Sequence, residues 1–147
     1  MDLNFVAIPK NASTSIASAL GIWHEHRRAS EIAGPRFAVV RHPAERARSA
    51  YRFARTHHSS RAKRCLGDAR TFAQFLERDN ELTRPQSWWL DAEVDLLLRF
   101  ETLNADFERA FGTRLPVMNA STGDDEECGE LIAERYAEDF KRFGYVV

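Results

Sequence analysis

Leu3-Asn4-Phe5-Val6-Ala7-Ile8-Pro9-Lys10-Asn11-Ala12-Ser13-Thr14-Ser15-Ile16-Ala17-Ser18-Ala19-Leu20 reads as a strand, a tight turn and a helix. Leu3 to Ile8 is a short apolar run with Phe, Val and Ile, the signature of a buried strand. Pro9 ends it, having no N–H for a ladder. Asn11 to Ser13 are small and turn-prone. Thr14 or Ser15 then caps a helix whose apolar face is Ile16, Ala19, Leu20 and Trp23. A helix N-terminus after a turn presents unpaired N–H groups and the positive end of a dipole. Lys10 adds a full charge and Ser13, Thr14 and Ser15 add hydroxyl donors, so the stretch is a candidate anion site. It is not a Walker loop: it holds no glycine, and its Lys precedes the turn.

Working outward, Phe37 to Val40 is a second apolar run, ending at Arg41-His42-Pro43. Pro43 suits the first position of a helix that continues to about His57, with Ala47, Ala50, Tyr51 and Ala54 inward. Residues 94–100, with Leu96-Leu97-Leu98, form a third strand. Strands near 3–8, 36–40 and 94–100, each followed by a helix, predict an α/β fold with a small parallel sheet. Between the second and third strands, 58–70 reads as a basic loop, Thr71 caps a helix through Leu76, and Trp88-Trp89-Leu90 reads as core packing. A helix from Leu103 to Phe111 stops at Gly112. Residues 115–122 form a loop, and Asp124 to Glu127 open an acidic last helix carrying Leu131, Ile132 and Tyr136.

With 147 residues, the chain is expected to be one domain over 1–147. Its apolar content of 44% and charged content of 29% are those of a soluble globular protein. No apolar run is long enough for a membrane span, and the N-terminus enters a strand at once, without a signal peptide. Cys65 and Cys128 have no metal or disulfide-framework spacing, which points to a reducing cytoplasm.

The net charge of −1 is unevenly spread: residues 27–64 hold eleven Arg or Lys against Glu31 and Glu45, a net +9. A basic segment in a near-neutral protein marks a local polyanion site. Interleaved aromatics are few, beyond Tyr51 and Phe53, which argues against nucleic acid.

Three features together resemble the sulfotransferases that use 3′-phosphoadenosine 5′-phosphosulfate (PAPS), especially the carbohydrate-sulfotransferase-like branch. The first is Pro9-Lys10 to Ser15, beside that family's Ile-Pro-Lys-Thr-Gly-Gly-Thr-Ser. The second is Val40-Arg41-His42-Pro43-Ala44-Glu45-Arg46-Ala47-Arg48-Ser49-Ala50-Tyr51, beside Val-Arg-X-Pro-X-X-Arg-X-X-Ser-X-Tyr. The third is Arg84-Pro85-Gln86 with Leu98-Arg99-Phe100-Glu101-Thr102-Leu103. The ending Tyr136-Ala137-Glu138-Asp139-Phe140 and Phe143-Gly144-Tyr145 also looks like the family's C-terminus.

The resemblance implies a P-loop-like, three-layer α/β/α fold and transfer of a sulfuryl group from PAPS to a hydroxyl or amine of a carbohydrate or small molecule, without a metal. It implies that Lys10, Asn11, Ala12, Ser13, Thr14 and Ser15 hold the 5′-phosphosulfate, that Arg41 and Ser49 hold the 3′-phosphate, and that Lys10 serves the leaving-group oxygen. A general base is needed for the acceptor, and His26, followed by Ala29-Ser30-Glu31, matches the family pattern; His24 is the alternative. His57 and His58 read as surface residues and His42 as structural or exposed. Where the family has glycines this chain has Asn11-Ala12-Ser13, and a positive φ at position 12 would strain Ala12. Two other readings stay open: a P-loop-like nucleotide kinase, with Glu101 as its metal ligand, and a non-catalytic nucleotide-binding relative.

Overall fold

The computed structural model describes residues 2–116 and 128–147. The acidic run 124–127, and all but the first two residues of the loop expected over 115–122, lie outside them. Three strands, β1 (Asn4–Val6), β2 (Arg36–Val40) and β3 (Leu96–Arg99), accompany eight α-helices among the described residues. These are α1 (Ser13–Leu20), α2 (Pro43–Thr56), α3 (Ser60–Leu66), α4 (Phe72–Leu76), α5 (Gln86–Trp89), α6 (Leu103–Phe111), α7 (Gly129–Arg135) and α8 (Ala137–Phe143). The fold is α/β with a small parallel sheet, and no described helix is long and apolar enough to cross a membrane. The chain divides into two compact units, built from the described parts of Met1–Arg41 with Gln86–Ala120, and of His42–Pro85 with Ser121–Val147.

The first unit holds the sheet, in the order β1-β2-β3, all parallel. Phe5 pairs with Phe37, and Phe37 with Leu96, so the three apolar runs lie side by side. On one sheet face Phe37, Val39 and Leu98 pack with Ile16 of α1 and with Leu103 and Phe107 of α6. Phe5 stacks on Phe37 at 4.9 Å between centroids, and Phe111 closes on the other side at 4.8 Å. Ala38 and Val40, which alternate to the opposite face, are buried as well.

β1 is shorter than its apolar run, for a reason that matters below. The carbonyls of Ala7 and Ile8 leave the ladder and accept instead from His26 and from the turn. α1 also differs from expectation. It begins at Ser13, its N-cap is Ala12, and neither Thr14 nor Ser15 caps it. It ends at Gly21, whose φ of 63° supplies the left-handed cap, so Trp23 falls beyond the helix and is 89% exposed rather than inward.

The second unit is helical. Ala47, Ala50, Tyr51 and Ala54 of α2 face Phe72, Phe75, Leu82, Ile132, Tyr136 and Phe140. Pro43 opens α2 and His42 caps it, its Nδ1 accepting from the Ala44 amide and its Nε2–H donating to Val146 O. Thr71 caps α4 as expected. The segment 58–70 is not a loop: Ser59 caps α3, which buries Ala62 and Cys65 one turn apart. Its exposed Lys63 and Arg64 hide that apolar stripe in a basic sequence. Burial pushes the Tyr136 hydroxyl's pKa up, and it donates to Thr83 O at 2.8 Å.

Candidate functional site

The turn between β1 and α1 is folded around one carbonyl. Ile8 O accepts the Asn11 amide at 3.3 Å and the Ser13 hydroxyl at 3.1 Å. Reversing the chain this tightly puts Lys10 at φ 71° and Ala12 at φ 65°, both left-handed. Each such residue with a Cβ costs roughly 1–2 kcal/mol. The first backbone bond of α1 runs from Ile16 N to Ala12 O, so the helix itself makes no use of the amides of Ser13, Thr14 and Ser15. Those amides and the half-buried Lys10 are the candidate anion-binding groups of the turn. Ser13 contributes its amide there, since its hydroxyl is committed to Ile8 O; Thr14 is exposed and Ser15 half-buried.

This strain yields a direct expectation. Ala12→Gly removes the left-handed penalty and installs a better N-cap, so it should stabilise the fold by about 1 kcal/mol and raise Tm by roughly 3 °C. An unchanged or lower Tm in a thermal melt would contradict the observed backbone.

Arg41 follows β2 directly, as the turn follows β1, and the two strands are parallel neighbours. Its Nη1 donates to Lys10 O at 3.1 Å, and its guanidinium lies 4.0 Å from the centroid of the Phe100 ring. Lys10 and Arg41 are thus brought together within one unit. Asn11, 1% exposed, donates from Nδ2 to Val39 O at 2.8 Å and to Gln86 Oε1 at 2.7 Å. Gln86 Oε1 also accepts the Arg41 amide, and Gln86 Nε2 donates to Arg41 O, both at 2.8 Å. Ser49 lies buried on α2 in the second unit.

His26 is set by its neighbours. Its Nδ1 lies 2.6 Å from Ala7 O. A carbonyl only accepts, so Nδ1 carries the proton, and in the neutral imidazole Nε2 is the acceptor nitrogen. The segment beyond it is tethered: Arg28 Nε donates to Trp88 O at 2.8 Å and its guanidinium stacks on the Trp88 ring at 4.1 Å. Ser30 N donates to Asp91 Oδ1 at 2.9 Å. Burial acts to raise the Asp91 pKa, but the Ser30 bonds and Arg28 hold it below the usual carboxylate range. His24 meets His26 edge to face at 5.9 Å, and His26 meets Trp89 at 6.2 Å. No hydrogen bond orients the His24 ring among the described residues.

Glu101 is exposed on the 3-10 turn after β3. No group of three His, Cys, Asp or Glu among the described residues is placed to hold a metal. The sequence places Gln86 in the Arg84-Pro85-Gln86 motif without a role and gives Asn11 only a ligand-side role; the pairing of two amide side chains across the sheet end has no local signal. The chain matches no protein-family model, no curated protein and no solved structure.

Proposed function

We propose that this chain is a sulfuryl-transfer enzyme that takes its group from PAPS and delivers it to a hydroxyl of a carbohydrate or small-molecule acceptor. The observation that carries this reading is the Arg41 guanidinium bonded to the carbonyl of Lys10, at the ends of two adjacent parallel strands. A donor with two separated anionic groups needs two such cations on one side of a sheet, where open α/β sheets take their ligands. On this reading the sheet is the middle of a three-layer, P-loop-like core, in keeping with β2 being buried on both faces.

The roles follow from the chemistry of each group. The amides of residues 13–15 and the Lys10 ammonium hold the phosphosulfate end. Arg41 supplies a planar fork suited to the second phosphate. His26 Nε2 accepts the acceptor's hydroxyl proton as that oxygen bonds to sulfur. The bond from sulfur to the phosphate oxygen breaks in line, and Lys10 stabilises the charge that develops there.

The test is calorimetric titration with 3′,5′-adenosine bisphosphate, the desulfated donor. Lys10→Ala and Arg41→Ala should each weaken binding by about 10- to 100-fold, the worth of a charge-assisted hydrogen bond. Unchanged affinity in both variants rejects the reading. ATP hydrolysis with no response to PAPS would favour a kinase instead.

A further inference from the structure

We infer that Gln86 is a positioning residue for the anion-binding turn, acting through Asn11 to hold Lys10 and Ala12 in the left-handed conformation that glycine would otherwise supply. The inference rests on the sulfuryl-transfer reading for what the turn binds, not for how it is held. Gln86 is fully buried. Its amide pairs with both the N–H and the C=O of Arg41, as the next residue of a neighbouring strand would. The same oxygen accepts from Asn11 Nδ2.

The orientation of each amide is forced. Turning Gln86 over would set its oxygen against Arg41 O, and turning Asn11 over would set its oxygen against Val39 O and Gln86 Oε1. Asn11 stands between the two left-handed residues. Fixing its side chain to β2 and to Gln86 therefore fixes the backbone on both sides of it. Two such residues persist only where their surroundings over-determine them. Gln86 also sets the Arg41 backbone, and Arg41 in turn holds Lys10 O. One side chain thus governs both cationic residues.

The experiment uses the full chain. Gln86→Met keeps the approximate shape and removes the amide. It should lower affinity for 3′,5′-adenosine bisphosphate by at least about tenfold. It should also weaken the strong intraresidue HN–Hα cross-peak that a positive φ gives Ala12 in NMR spectra. Adding Ala12→Gly to Gln86→Met should restore most of the lost affinity, because glycine takes the conformation unforced.

Retained affinity in Gln86→Met overturns the inference, as does a cross-peak at wild-type strength. Lost affinity that Ala12→Gly does not restore overturns it too, leaving Gln86 a core residue only. Should Gln86→Met unfold, Gln86→Leu is read the same way, since it too removes the oxygen that accepts from Asn11 and from the Arg41 amide. If the wild-type chain binds no adenosine bisphosphate, the transfer reading falls, and the cross-peak alone decides whether Gln86 holds the turn.

Discussion

Replacing His26 with asparagine is expected to lower PAPS turnover by roughly 10²–10⁴-fold, with affinity for 3′,5′-adenosine bisphosphate unchanged. Asparagine reaches as far as Nδ1, so its Nδ2–H can keep the bond to Ala7 O that ties this segment to the end of β1. What it lacks is Nε2, the nitrogen left as acceptor. The substitution therefore removes the proposed base and spares the tether. Release of the bisphosphate from PAPS, followed over a panel of hydroxyl acceptors, gives the rate. His24→Asn should change it by no more than about threefold, since no hydrogen bond fixes His24 for proton transfer. Wild-type turnover in His26→Asn would remove His26 from the chemistry.

The second large effect is thermodynamic and lies in the helical unit. Arg46 is 2% exposed and its Nη1 donates to Arg84 O at 2.8 Å. Burial pushes its pKa down, while Tyr136 and Asp139 push the other way. Asp139 is itself fully buried. Arg135 joins the same arrangement by donating to Arg78 O at 3.0 Å, so the segment 78–84 is held at several points by charged donors. Arg46→Ala leaves the Asp139 carboxylate buried without this cation and should cost about 3–5 kcal/mol in urea unfolding. Arg46→Met with Asp139→Leu should recover most of that loss, because neither charge is then buried. A cost under about 1 kcal/mol for Arg46→Ala would show that the pair contributes little.

The sheet was legible because Leu3 to Ile8, Phe37 to Val40 and Leu96 to Leu98 are short apolar runs closed by Pro9, Pro43 and the polar residues after β3. Helix starts were legible where a side chain does the capping, at Thr71, and where Pro43 stands at the first position. The start of α1 was not, because a backbone device replaced the side-chain cap: Ala12 takes the N-cap position in a left-handed conformation and frees no hydroxyl for the purpose. Trp23 continues the apolar period of α1 in the sequence, but the helix stops at Gly21 before reaching it. α3 was hidden by its basic face. Lys10 and Arg41 could be singled out as candidates from their places beside strand ends, and His26 from the family pattern it resembles. Their supports could not, since the bonds of Asn11 to Val39 and to Gln86, and of Gln86 to Arg41, join residues 28, 75 and 45 positions apart. Such contacts leave no period and no local pattern in a sequence.

That last separation bears on how the molecule comes into being. β1, α1 and β2 leave the ribosome together, but Gln86 and β3 follow only after the first segment of the helical unit. At about 5–20 residues per second, 45 residues take roughly 2–9 s. Throughout that interval the two left-handed residues are held only by the bonds made within residues 8–41, without those of Gln86. The cationic turn therefore ripens late, when the returning chain docks.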